Sequence, residues 1–156
     1  MAEAVVVADG VFTWPAEEPR LVASRCRSCG LVSFPVSSPC LRCAGSDVAD
    51  LLLSPAGTLW TFTTQGFRPP SPPYDGTDGA GGGDGDGTSS AFMPYAVGCV
   101  EFPEGIVVEG RLTEPDPARL RIGQPMRVAV VPYTRDADGR DVLTFAFAPE
   151  AGKGHG

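Results

Sequence analysis

Cys26-Arg27-Ser28-Cys29-Gly30-Leu31-Val32-Ser33-Phe34-Pro35-Val36-Ser37-Ser38-Pro39-Cys40-Leu41-Arg42-Cys43 contains two Cys-x-x-Cys pairs separated by ten residues. Each pair is a tight turn that offers two thiolates to one point. Together they supply four sulfurs, the tetrahedral donor set that Zn²⁺ prefers. Gly30 follows the first pair and Ala44-Gly45 the second; a small residue there admits positive φ and lets amide N–H groups reach the sulfurs. Two disulfides would need an oxidising compartment, and no apolar leader is read before the pairs. A redox dithiol uses one pair at the start of a helix, whereas Pro35, Pro39 and Ser37-Ser38 make this stretch turn-rich. Iron suits tetrahedral sulfur as well. The reading adopted is a compact ribbon holding structural Zn²⁺ through Cys26, Cys29, Cys40 and Cys43. With all four ligands from protein, no position is left open for substrate or water.

Outward from the ribbon, the 156 residues include 16 Pro and 20 Gly. That composition opposes a helical protein and favours short strands joined by turns. One unit of modest core fits the length. No apolar run approaches bilayer length, so a soluble, cytoplasmic chain is expected. Formal charge is −7, from 12 basic and 19 acidic side chains with a single lysine. Such a chain repels phosphate backbones overall. Arg20, Arg25, Arg27 and Arg42 crowd the ribbon; they either offset the negative metal–thiolate centre or present an anion-contacting face.

Residues 1–20 are poorly patterned, although Val11, Phe12 and Trp14 could cap the ribbon or anchor a partner. Residues 21–25 and 31–35 read as the ribbon strands, making 21–47 the ribbon. From residue 48 the pattern turns to period two, the mark of strands with one buried face. Strands are expected over 48–54, 57–66, 95–102, 106–113, 126–133 and 142–148, with a short helical or turn segment at 117–122. In the second of these, Trp60, Phe62 and Thr64 are assigned to one face. Five or six strands with one large excursion suit a small OB-type barrel over 48–148. The excursion, 68–92, opens Pro-rich and becomes a Gly/Asp tract of seven glycines and four aspartates in sixteen residues, expected to be disordered. A tail over 149–156 is expected to be disordered as well. Asp84-Gly85-Asp86-Gly87 lacks the further carboxylates of a calcium loop.

Catalytic groupings are absent from the pattern. The one histidine is His155, next to last, which removes Ser–His and Cys–His arrangements. Cys99, mid-strand with Tyr95 and Val97 on its face, is read as a small buried hydrophobe. Alone, the chain is expected not to be catalytic.

Arg25-Cys26-Arg27-Ser28-Cys29-Gly30, Phe34-Pro35 and Cys40-Leu41-Arg42-Cys43, followed by Gly57-Thr58-Leu59-Trp60-Thr61-Phe62-Thr63, resemble a known family. So do the segment from Pro94 to Gly105, Arg111-Leu112, and the segment from Ile122 to Val128. The family is that of the zinc-ribbon/OB-fold acyl-CoA-associated proteins that partner thiolase-like enzymes, and the likeness covers about residues 20–148. It implies a hetero-oligomer with a thiolase-like subunit acting on acyl-CoA, as an acyltransferase or as a carbon–carbon lyase. The Pro-rich opening of the insert and the Pro94–Gly105 segment look most like the steroid side-chain retro-aldolase branch. Two departures stand out: the helices many members carry before the ribbon are replaced by a short Pro-containing segment, and the Gly/Asp insert is long. Arg25, Arg27, Arg42, Trp60, Tyr74, Phe92 and Tyr95 are candidate contacts to partner or acyl-CoA. The alternative function is a single-stranded nucleic-acid module, since ribbons and OB barrels both serve that role and Trp60, Phe62 and Tyr95 could stack on bases. It lacks a basic groove.

Overall fold

The structure, a computed structural model, describes residues 4–66 and 94–150. Tyr74, Phe92, His155 and the insert and tail tracts fall outside the described residues, apart from Pro149 and Glu150.

Among the described residues, nine strands form two sheets: β1 (Val5–Val6), β2 (Val22–Cys26), β3 (Val32–Ser33), β4 (Val48–Leu52), β5 (Ala56–Gln65), β6 (Tyr95–Phe102), β7 (Ile106–Leu112), β8 (Pro125–Arg135) and β9 (Asp141–Pro149). The ribbon sheet runs β3-β2-β4. The other sheet has the order β1-β9-β7-β6-β5-β8, and an added β8–β9 pairing closes β5 to β9 into a barrel. Within it β7 meets β9 in parallel through Leu112 and Phe147, while β5–β6, β6–β7, β5–β8 and β8–β9 are antiparallel. A five-stranded closed barrel with this pairing is the OB topology expected from the sequence. Each strand expected after residue 48 is present, within about two residues at either end.

Alternation on β6 drives the closure. Ala96, Val100 and Phe102 are buried in the interior, with Leu59, Val108, Leu112, Met126, Val128 and Phe147. Two glycines face each other across β6 and β7, Gly98 opposite Gly110. A Cβ on Gly110 would stand 2.8 Å from the Phe147 ring and 3.0 Å from that of Phe145, so the missing side chain is what admits both rings. Between β7 and β8 a single 3-10 turn, Pro117–Arg119, is capped by Asp116, which accepts from the Ala118 N–H at 2.9 Å. It presents Leu120 to the core.

β5 does not keep a strict alternation. The register with β6 slips between Leu59 and Thr61, leaving Trp60 in a bulge. Leu59 therefore points inward before the slip and Phe62 packs on the core after it, whereas Trp60 is exposed. The period-two reading that put Trp60 and Phe62 on one face is corrected by that extra residue.

The N-terminal segment is more ordered than its pattern suggests. Val5 and Val6 pair in parallel with Val142 and Leu143 of β9. Phe12 bridges to Leu21, the Thr13 N–H donates to Arg20 O at 2.9 Å and the Val22 N–H to Val11 O at 2.8 Å. Phe12 thereby joins the core, while Trp14 stays largely exposed.

Ribbon and barrel share that core. Leu21, Ala23 and Leu53 are buried with the barrel residues. The Phe145 ring meets Phe34 of the ribbon edge on at 5.6 Å, Phe12 at 6.5 Å and Phe147 at 5.7 Å. Arg20 donates from Nε to Leu53 O at 2.6 Å, so this arginine serves the junction rather than the metal. Glu104, in the tight turn between β6 and β7, accepts from both the N–H and the hydroxyl of Ser54, the latter at 2.8 Å. Ser54 stands between β4 and β5, where the ribbon enters the barrel. Replacing Glu104 with Ala removes both bonds and leaves a part-buried donor unpaired, an expected loss of about 2 kcal/mol. A shift of the urea midpoint with an unchanged slope would register it.

Candidate metal centre and contact residues

Both Cys-x-x-Cys turns fold alike, because the same backbone bonds close them. In the first, the Gly30 N–H donates to Cys26 O at 2.8 Å and the Cys26 N–H to Leu31 O at 2.9 Å. In the second, Ala44 N–H donates to Cys40 O at 2.9 Å and Cys40 N–H to Gly45 O at 2.9 Å. Gly30 sits at φ 81° and Ala44 at φ 59°, as the small residues at these positions imply. Ala44 carries a Cβ in the left-handed region, which costs about 1 kcal/mol relative to glycine. Ala44→Gly relieves that strain but frees the unfolded chain. A small net gain of about 0.5 kcal/mol in thermal or chemical stability is expected, whereas Gly30→Ala should lose about 1 kcal/mol.

The turns bring Cys26, Cys29, Cys40 and Cys43 together, with their four Sγ atoms within 4.8 Å of one another. Cys26 Sγ lies 3.5 Å from Cys43 Sγ, and Cys29 Sγ 3.5 Å from Cys40 Sγ. A tetrahedral ion with bonds of about 2.3 Å holds its sulfurs about 3.8 Å apart, so the donor set fits a metal in both chemistry and spacing. The amide N–H groups of Arg42 and Gly45 point at the sulfurs of Cys40 and Cys43, each at 3.4 Å. Such donors stabilise thiolate. The amides of Cys43 and Arg42 hold the Cys40 thiol down to about 6, and that of Cys29, followed by burial acting the other way, leaves Cys26 lowered. At Cys43 the Gly45 amide pulls down, but proton sharing with Cys26, burial and the remaining sulfurs outweigh it and push the thiol up to about 11. A cation bound there would compete with protons for these thiols.

The candidate contact residues are dispersed. Arg25 is exposed on β2. Arg27, also exposed, approaches Asp47 at 3.6 Å, and Arg42 is exposed at the second turn. Tyr95 lies half-buried at the start of β6 with the Arg111 guanidinium 5.5 Å above its ring, and burial leads the upward shift of its phenol. Cys99 is half-buried on the outer face of β6 rather than in the core, because Gly98 and Val100 take the inward positions. Burial, then the charge of Glu109, raises its thiol, which disfavours a nucleophile. No Ser–His or Cys–His pair exists among the described residues. The loops that flank the binding face of an OB barrel are the β5–β6 and β8–β9 connections. The second is an acidic turn in which Asp136 accepts from the N–H groups of Asp138 and Arg140 and from Arg140 Nε at 2.8 Å. The first carries the Gly/Asp tract in its sequence. Neither is the basic groove a single strand needs. Among the described residues, no helix is long and apolar enough to cross a membrane. Two features were invisible to sequence reasoning: the Ser54–Glu104 link, whose partners lie fifty positions apart, and the core role of Phe12.

A four-cysteine rubredoxin-like ribbon packed on a five-stranded OB barrel defines the class of this protein. Comparison with protein families agrees: residues 13–49 match the ChsH2 rubredoxin-like zinc ribbon domain and residues 85–131 the ChsH2 C-terminal OB-fold domain. The two matches together span more than half of the chain, which belongs to this ChsH2 zinc-ribbon/OB-fold family. Among curated proteins it is similar to benzoylsuccinyl-CoA thiolase subunit BbsA of Thauera aromatica, 27% identical over 129 residues, covering 83% of this chain and 76% of that protein. It is also similar to a DUF35 domain-containing scaffold protein of Methanocaldococcus jannaschii, 26% identical over 129 residues, covering 81% and 78%. Among solved structures, the Ltp2-ChsH2(DUF35) aldolase has a chain with the same fold, at a TM-score of 0.57 and 23% identity over 83% of this chain and 84% of that one.

Proposed function

We propose that this chain is an accessory subunit, with a ribbon (21–47) and a barrel (48–148), that assembles with a thiolase-like enzyme acting on acyl-CoA. The observation that carries the reading is the closed four-sulfur centre. Its donors saturate a tetrahedral ion, so the metal, Zn²⁺ in this reading, braces the ribbon and takes no substrate. The family and the names of its relatives, a thiolase subunit and an aldolase, supply the partner class. Within it we favour a carbon–carbon lyase cleaving a steroid side-chain acyl-CoA by retro-aldol chemistry over an acyltransferase. Bond cleavage belongs to the thiolase-like subunit; this chain shapes the assembly, and Arg25, Arg27, Arg42 and Tyr95 are its candidate contacts to partner or acyl-CoA. The test is to purify each thiolase-like subunit encoded in the same genome with and without this chain, then assay cleavage of β-hydroxyacyl-CoA thioesters. Turnover that needs both polypeptides supports the reading. Turnover undiminished by omitting this chain, or shown by this chain alone, defeats it.

A further inference from the structure

We propose that the four-sulfur centre is a redox-sensitive latch: peroxide oxidises Cys43, Cys26 closes a disulfide onto it, and the ribbon exchanges its metal for that bond. The inference rests on the metal reading of the cluster and is independent of what the chain assembles with. Exposure separates the four sulfurs. Cys26 and Cys40 are 2% and 6% exposed, Cys29 is half-buried and Cys43 is exposed. The residue that follows the second turn widens the difference. A Cβ on Gly45 would stand 3.2 Å from Cys43 Sγ and 3.6 Å from Ser28 Oγ, so the bare glycine leaves the sulfur open on the side of an exposed hydroxyl. Coordination keeps a thiol deprotonated, and oxidation follows thiolate character and access together. With all four donors ionised by the metal, access is what singles out Cys43.

Geometry also selects the second sulfur. Cys26 Sγ lies 3.5 Å from Cys43 Sγ, while Cys29 Sγ and Cys40 Sγ form the other close pair at 3.5 Å. The Cys43 thiolate attacks one oxygen of hydrogen peroxide and breaks the O–O bond, giving a sulfenic acid and hydroxide. The Cys26 thiolate then attacks the sulfenic sulfur, forming the S–S bond and expelling a second hydroxide. The two sulfurs together lose two electrons, which the peroxide gains. Cys29 and Cys40 remain as donors, half of a tetrahedral set, too few to retain the ion. Because Cys26 and Cys43 belong to different turns, the new bond ties together the same two turns as the metal. The ribbon therefore stays closed, and thiol reductants reverse the exchange.

The experiment uses the full chain carrying Cys99→Ser, so that the remaining thiol does not compete, loaded with Zn²⁺ and checked by elemental analysis. Hydrogen peroxide is added, a thiol-insensitive indicator follows metal release, and peptide mapping after alkylation of free thiols locates the bond. The expected result is metal release matched by a Cys26–Cys43 linkage, with a melting temperature above that of the reduced, chelated chain. Dithiothreitol with Zn²⁺ should restore the loaded form. Gly45→Ala keeps all four ligands and should release metal severalfold more slowly; the linkage found in the parent chain decides even where this variant binds metal poorly. A Cys29–Cys40 bond as first product, equal release rates in a metal-loaded Gly45→Ala chain, or sulfinic acid at the ligands with no recovery overturns the latch. Metal retained through peroxide treatment overturns it too, while leaving the structural metal intact. A chain that binds no Zn²⁺ overturns the metal reading and this inference with it.

Discussion

Chelating the metal that Cys26, Cys29, Cys40 and Cys43 would hold should unfold the ribbon while the barrel strands stay paired. The ribbon sheet holds strands of five, two and five residues, and its metal end buries little besides the sulfurs themselves. Segments this small seldom fold without a staple. Binding of a structural ion is worth on the order of 10 kcal/mol at neutral pH, more than packing of Leu21, Ala23 and Phe34 on the barrel can replace at the far end. Hydrogen exchange after chelation should therefore show Gly30 and Ala44 amides exposed and β6–β7 amides still protected. Cys40→Ser should reproduce the pattern. Retained protection at both turns would mean that the metal is not structural. Acid should act in the same direction. Protons compete with the metal for the four thiolates, so metal release should accelerate as pH falls, followed by a thiol-insensitive metal indicator.

Phe147→Ala should be the most damaging single change in the barrel. The ring is fully buried, lies 6.0 Å from Phe102 and 5.7 Å from Phe145, and occupies the space that Gly110 leaves open. Its backbone is the one bridge that joins β7 to β9, and its carbonyl accepts from the Thr113 N–H at 2.9 Å. Truncating a buried phenylalanine costs about 3–5 kcal/mol when the cavity cannot collapse. Collapse is hindered here, since Phe145 is itself pinned between Phe147 and the ribbon's Phe34. A denaturation midpoint that moves by less than a surface substitution would contradict this packing.

The closed metal site could be read from the sequence because its information is local: two pairs of sulfurs, a small residue after each, and prolines that exclude a helix. Strand positions were legible for a similar reason, since alternation over a few residues reports which face meets the core. Barrel closure followed from strand number and family likeness, and the structure supplied the pairing that makes it an OB barrel. Trp60 marks where local reading failed. A bulge is created by the partner strand's register, so no period in β5 alone announces it. Phe12, Arg20 and the Ser54–Glu104 link belong to the same class. Their neighbours are chosen by how ribbon and barrel pack, and side-chain chemistry alone is silent about a partner fifty residues away. The sequence by itself determined a four-thiolate ribbon ahead of a β-barrel; only tertiary packing decided which residues fasten the two together and which apolar side chains remain outside.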